Sequence, residues 1–302
     1  MILVIGSINL DLTCRVERLP VPGETVSNGT FAQAPGGKGA NQALAARRAG
    51  STAAMIGAVG RDSNAGPATA LLRAAGIDLS GVVDTDATTG TALILVSETS
   101  GENMIAVASG ANLCVSPDRV AELDMTGDDI VLLQHEVPLE TVSAALDKAA
   151  RTGARTIVNT APWKASCETL FVEAAFAVFN ETEFDQASAA LGLSGAREER
   201  MATLARSNNQ TIVVTLGADG VLAATPNAMI SVPAIRITPV DTVGAGDTFC
   251  GYLAASLDQG MTLETALRRA SIAGSLACLA PGAQPAIPLA SAVDARLAEA
   301  NL

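Results

Sequence analysis

The sequence predicts an α/β fold: a mostly parallel sheet sandwiched between helices, with a small β-sheet lid projecting over the strand ends. Three observations lead there. Short aliphatic and β-branched runs are apolar throughout instead of alternating, as strands buried on both faces must be. Longer alanine-rich segments of helical period separate them. Two stretches break this rhythm and carry strand-like pieces with no helix between them.

The series opens with ILVIG (2–6) and its first helix is KGANQALAARRAG (38–50). AAMIGAVG (53–60), IVLLQHE (130–136) with a helix after Pro138, RTIVNTAP (155–162), AAFAVFNETE (174–183) and QTIVVTLGADG (210–220) repeat the pattern. A β-rich piece then runs to Ile237. Residues 10–35 hold the turn signal LPVPGET, and residues 89–107 read as TALILVSE and NMIAVA around the turn-rich TSGE. These two segments form the expected small sheet, and 1–9, 36–88 and 108–302 form the α/β core. The lid edges would be long and open, so closure over a ligand or pairing with another subunit is expected to cover them. No repeat, low-complexity tract or linker interrupts the chain.

A chain of 302 residues buries a substantial core without covalent staples. Cys14, Cys114, Cys167, Cys250 and Cys278 show no CxxC spacing, and the single His135 has no partner nearby in sequence, so neither a disulfide framework nor a zinc site is indicated. A reducing cytoplasm is the expected compartment. Residues 1–8 are apolar but lack a basic n-region, and no apolar run approaches the ~18 residues of a membrane span. Lys and Arg number 19 against 31 Asp and Glu, a net charge of −12, with no basic cluster interleaved with aromatics. That balance argues against a nucleic-acid partner, and it requires any anionic substrate to be held by local donors.

Chemistry concentrates in DTVGAGDTF (241–249). Gly244, Ala245 and Gly246 leave the backbone bare before an apolar helical run, so a polyanion can approach the NH groups of the helix start. Asp247 is out of place in an anion site unless it takes a proton from the hydroxyl that attacks the phosphate; otherwise it merely favours the helix dipole. GGKGANQA (36–43) is a glycine-rich turn feeding a helix, without the spacing of a Walker loop. Asn9 and Asp11 follow the first strand, where an amide and a carboxylate suit capture of sugar hydroxyls or form an ordinary Asx turn.

In order along the chain, GSINLD (6–11), PGET (22–25), GGKGANQA (36–43), GEN (101–103), NETE (180–183), TLGADG (215–220), DTVGAGDTF (241–249) and PGAQPAIP (281–288) resemble the ribokinase branch of the PfkB carbohydrate kinase family. The resemblance runs nearly end to end. It implies a ribokinase-like fold and ATP-dependent phosphorylation of D-ribose at O5. Asp247 matches the base, and Gly244, Ala245 and Gly246 match the anion hole. Asn9, Asp11, Gly37, Lys38, Gly39, Asn41 and Glu136 match sugar-binding positions, whereas His135, pointing the other way, is structural. Asn180 and Glu183 match a motif associated with Mg²⁺ and phosphates. Thr215, Leu216, Gly217, Ala218, Asp219 and Gly220, with Gly246 and Ser271, match the nucleotide site. A K⁺ site is implied at Asp241, Val243, Ala277, Ala280, Gly282 and Ala286, and a homodimer through the lid.

The chain also departs from the family pattern. Ser271 stands where some relatives carry a histidine, and Ala280 and Ala286 replace an arginine and a serine. Carbonyl ligands survive these changes; a hydroxyl ligand at 286 does not. Deoxyribose or a ketose remains an alternative substrate. A nucleoside would need aromatic stacking, for which the lid offers only Phe31, and a non-catalytic sugar sensor would not need Asp247. Arg47 and Arg48 are expected to be solvated.

Overall fold

Strands that are apolar at consecutive positions need cover on both faces, and the computed structural model, which describes residues 1–300, supplies it. The chain begins β1 (Ile2–Ile5), β2 (Asn9–Val16), β3 (Thr30–Gly36), α1 (Lys38–Arg48), β4 (Ala53–Gly60), α2 (Ala65–Ala74) and β5 (Val82–Thr85). It continues β6 (Gly90–Ser97), β7 (Asn103–Ala108), α3 (Pro117–Ala121), β8 (Ile130–Leu133), α4 (Leu139–Thr152), β9 (Arg155–Asn159), β10 (Phe176–Asn180), α5 (Glu181–Ala190) and α6 (Arg197–Asn208). The last part is β11 (Thr211–Thr215), β12 (Val221–Ala224), β13 (Met229–Val232), α7 (Ala245–Asp258), α8 (Leu263–Ala277), α9 (Ala283–Ala286) and α10 (Ala290–Ala300).

The large sheet has the order β13-β12-β11-β10-β9-β8-β1-β4-β5, parallel except at β12 and β13. Successive side chains of β1 feed opposite cores. Ile2 and Val4 pack with Leu44 of α1 and Leu253 of α7, while Leu3 and Ile5 pack with Leu146 of α4 and Phe184 of α5. β1 pairs with β4 on one side and β8 on the other. The strand order therefore reverses at β1/β8, and open α/β sheets bind ligands at the carboxyl ends of strands beside such a reversal.

The second sheet, β3-β2-β6-β7, grows out of the end of β1. Asn9 and Asp11, two apart on β2, share one of its faces. Phe31, Leu93 and Met104 are exposed on the other, because they lie in register with the intervening positions Leu12 and Cys14 and with Leu95. α1 and α7 pack unusually closely: a Cβ at Gly251 would sit 2.5 Å from both Ala45 Cβ and the Gln42 carbonyl oxygen.

Several details differ from the sequence pattern. β5 is a short, partly exposed edge strand without a strong apolar signature. β10 stops at Asn180 because Asn180 accepts from the Glu183 NH (2.8 Å) and Glu183 accepts from the Asn180 NH (2.9 Å), a reciprocal cap that starts α5. The β-rich piece ends at Val232, and 233–244 is irregular. Arg47 and Arg48 are half-buried rather than simply solvated. Arg47 donates to the Ala75 carbonyl (3.0 Å) and Arg48 to those of Gln284 (2.9 Å) and Ile287, since α1 is enclosed and its basic last turn satisfies neighbouring backbone acceptors. No described helix is long and apolar enough to cross a membrane.

Candidate active site

α7 begins where it does because Gly244, at φ 78°, takes a left-handed turn that a side chain would oppose; a Cβ there would also press on Ala283 at 2.9 Å. The first turn of α7 then presents NH groups that have no intrahelical acceptor, along with the positive end of the helix dipole. Asp247 lies in this turn and is 6 % exposed. Asn41 donates to its Oδ2 and Gln42 to its Oδ1, each at 2.9 Å, so two consecutive amides of α1 grip the carboxylate.

On the small-sheet side, Asp11 is pushed up from the usual 3.8 to about 6, first by burial and then by the negative charges of Glu136 and Asp247. Three carboxylates thus converge on one space. Glu136 accepts from the Ser7 hydroxyl and, at 3.0 Å, from the Lys38 NH. Ser7 also accepts from the Gly39 NH at 3.3 Å, which docks the glycine turn containing Gly37 on the end of β1. Asn9, almost fully buried, accepts from Asn112 Nδ2 (2.7 Å), and Asn112 Oδ1 accepts from the Ile8 NH (2.8 Å). Asn41 Oδ1 is buried without a partner among the described residues, an acceptor free for a hydroxyl.

On the other side of Asp247 opens a cavity of about 840 Å³. Its walls include Asn180, Glu183, Thr215, Gly217, Ala218, Gly220, Ser271 and the first turn of α7 from Gly244 to Asp247. Leu216 and Asp219 are not among them. Lys38, matched in the sequence to the sugar, has its side chain in this wall, where Asp247 raises its pKa against the opposing effect of burial, with Glu136 and Glu183 adding to the rise. Burial raises Glu183 from the ordinary carboxylate range, partly offset by the Asn180 NH and the Lys38 charge. The cavity is large enough for a nucleotide, and a lysine and a helix start meet at its inner end beside Asp247.

The loop before α7 is tied to the segment after α8. Asp241 Oδ1 accepts from the Val243 NH (3.0 Å) and its Oδ2 from the Gly282 NH (2.9 Å), while the Val240 NH donates to the Cys278 carbonyl (2.8 Å). Ala277 and Ala286 are buried and Ala280 is half-buried beside this junction. Asp241 therefore acts as a loop cap, and each of its oxygens keeps a lone pair for a further partner. Among the described residues, no cluster of three or more His, Cys, Asp or Glu side chains is placed to hold a metal ion. His135 is fully buried and held neutral, its pKa lowered to about 4 by burial and by Lys164.

Sequence reasoning missed Ser7, Gln42, Asn112, Gln134 and Asn159. Ser7 and Gln42 lie inside quoted motifs but carried no separate chemical signal. Asn112 and Gln134 sit just beyond a lid segment and a strand, and Asn159 ends β9, and polar residues at those places were the only available hint.

Comparison with known proteins bears on the fold and the family. The pfkB family carbohydrate kinases match residues 1–290. A ribokinase of Lactococcus lactis subsp. lactis is 34% identical over 302 residues, covering 99% of this chain and 97% of the relative. A bifunctional ribokinase/ribose-5-phosphate isomerase A of Fructilactobacillus sanfranciscensis is 35% identical over 301 residues, and the chain spans 55% of its length. The structure of Arabidopsis thaliana ribokinase complexed with ribose and ATP superposes with a TM-score of 0.83 at 28% identity, covering 98% of each chain. With a glycine-opened helix start, a buried carboxylate and a cavity at the carboxyl ends of β9, β10 and β11, and with a family model matching residues 1–290 and a relative 34% identical over nearly its whole length, this chain belongs to the pfkB family of carbohydrate kinases.

Proposed function

We propose that the chain transfers the γ-phosphoryl group of ATP to O5 of D-ribose, giving D-ribose 5-phosphate and ADP. The observation that carries this reading is the position of Asp247, gripped by Asn41 and Gln42, within reach of the charges of Asp11 and Glu136 and in the wall of the large cavity at the α7 start. Ribose fits the first space, since carboxylates and amides there can accept and donate to vicinal hydroxyls. ATP fits the second, with its base between the turn 215–220 and Ser271 and its phosphates toward Lys38 and Gly244–Gly246. The 5-hydroxyl gives its proton to Asp247 as its oxygen bonds to the γ-phosphorus, and the bond from phosphorus to the bridging oxygen breaks with its electrons leaving on ADP. The NH groups of the α7 start stabilise the charge on the phosphoryl oxygens in passage.

Magnesium, arriving with ATP, neutralises phosphate charge; Asn180 and Glu183 would hold it through its water, which suits a site with few protein ligands. The four-stranded sheet, residues 10–35 and 89–107, serves as the lid. Its exposed Phe31, Leu93 and Met104 support self-pairing into a homodimer. Five free cysteines suit the cytoplasm.

ADP release measured against a panel of sugars tests the assignment. Ribose should exceed 2-deoxyribose and fructose in kcat/KM, because hydroxyl-binding groups left unpaired in a buried site are costly. Asp11→Ala should raise KM for ribose and narrow the difference. Equal efficiency on all three sugars would remove ribose as the substrate while leaving a sugar kinase.

A K⁺ ion is the further expected activator, held by the Asp241 side chain and the carbonyls of Val243, Ala277, Ala280 and Gly282, with Ala286 beside it supplying no hydroxyl. It would set the peptide groups of the loop toward the phosphate without touching ATP. Replacing Na⁺ by K⁺ at constant ionic strength should raise activity, and Asp241→Ala should abolish the rise. A flat response in the unaltered enzyme would refute the cation site.

A further inference from the structure

We infer that Gln42, Gln134 and Asn159 form a relay of side-chain amides whose role is to set the orientation of the catalytic carboxylate. The inference rests on the reading of Asp247 as the base. The residues come from four elements or their ends: Gln42 from α1, Gln134 just past β8, Asn159 at the end of β9 and Asp247 in α7. Gln42 and Gln134 are fully buried and Asn159 nearly so.

A carboxamide can turn either its oxygen or its NH₂ toward a carboxylate, and only the second is attractive. Here the choice is imposed from both ends. Gln134 Nε2 donates to Gln42 Oε1 at 2.7 Å, which leaves the Gln42 NH₂ to point at Asp247. One of its hydrogens goes to Asp247 Oδ1 (2.9 Å) and the other to Asn159 Oδ1 (3.2 Å). Asn159 is turned in its own right, because its Nδ2 donates to the Val178 carbonyl of β10 (3.4 Å). Both hydrogens of the Gln42 NH₂ are thus used and its oxygen accepts from Gln134, and the relay ends on sheet backbone at Asn159, while Gln134 Oε1 is buried without a partner among the described residues. Glutamines present only to fill space would not need this alignment. The relay ties the first turn of α7 to the carboxyl ends of β8, β9 and β10, so the base is aimed by the rigid sheet rather than by the glycine turn. Gln42, Gln134 and Asn159 are positioning residues, acting on the reaction through Asp247.

The test compares isosteric variants by steady-state kinetics, with thermal melts as a folding check. Gln42→Met should lower kcat by about 10²-fold, the scale of a misplaced reacting group, with KM for ribose and for ATP little changed. Gln134→Glu, assayed at a pH above the raised pKa of a buried carboxyl, should approach the same loss, since the ionised group can only accept and would draw the Gln42 NH₂ away from Asp247. Gln134→Met, which merely releases the amide, should cost less. In the Gln42→Met background neither change at 134 should lower kcat further, whereas independent structural damage would add. Near-normal kcat in folded Gln42→Met, or additive losses, would overturn the relay. Should Gln42→Met not fold, equal losses for the two Gln134 variants would overturn it, and a larger loss for Gln134→Glu would support it. Asp247→Asn, measured alongside, separates the cases: retained turnover there defeats the base assignment itself, while its loss beside an active Gln42→Met defeats only the relay.

Discussion

Asp247→Asn should lower turnover by roughly 10² to 10⁴-fold, the range for a lost general base, while the fold and ribose binding survive. The substitution keeps shape and polarity but removes the acceptor for the 5-hydroxyl proton. Asn41 and Gln42 both donate to the native carboxylate, and an amide can accept from only one of them, so one contact is lost at a cost of about 1 kcal/mol. Removing a negative charge beside Asp11 and Glu136 offsets part of that. It also eases repulsion of the incoming phosphates, so ATP affinity should not fall much. Single-turnover and steady-state ADP release give the rate, and ribose-induced stabilisation against heat reports binding. A variant keeping more than about a tenth of the normal turnover, a smaller loss than a missing base causes, would show that Asp247 is not the base.

What could be read from the sequence divides along a physical line. The central strands of the large sheet were legible because two-sided burial leaves no polar position to confuse the pattern, as in Ile2 to Ile5 and Ile130 to Leu133, whereas the half-exposed edge strand β5 was not. The glycine turns and the Asp247 helix start were legible because their chemistry is local. Contacts between distant residues were not. Gln42 meets Asp247 across 205 positions, and Asn112 meets Asn9 across 103, and no short motif records which amide a fold will bring to which carboxylate. Arg48 shows the same limit, since a helix-end arginine reads as solvated until the fold puts the Gln284 carbonyl beside it. The NETE segment was double-valued: Asn180 and Glu183 form a helix cap, and both of its carboxylates, Glu181 and Glu183, border the cavity.

Asp11→Asn should stabilise the free protein and weaken its grip on ribose, with both effects depending on pH in a defined window. Asp11 ionises at about 6 in the folded chain against an ordinary value of 3.8. Between those values the folded state holds a proton that the unfolded state has released, so stability declines as pH rises through the window. Below 3.8 the penalty is absent, and above about 6 it is fully present. With allowance for partial exposure it amounts to about 2 kcal/mol, which the asparagine removes. The difference in Tm between variant and unaltered protein should therefore be several degrees at neutral pH, at ~2–4 °C per kcal/mol, and should vanish toward pH 3.8. Taking the difference isolates Asp11 from Glu183, which burial also raises. Ribose has the opposite preference: its hydroxyls donate to the ionised carboxylate, so its KM should fall as pH rises through about 6 in the unaltered enzyme and lose that dependence in the variant. A Tm difference constant across the window would mean that Asp11 is not held protonated by its surroundings. If it vanishes as described, Asp11 is held at a cost in stability, and under the proposed function ribose would supply the hydrogen bonds that burial withholds.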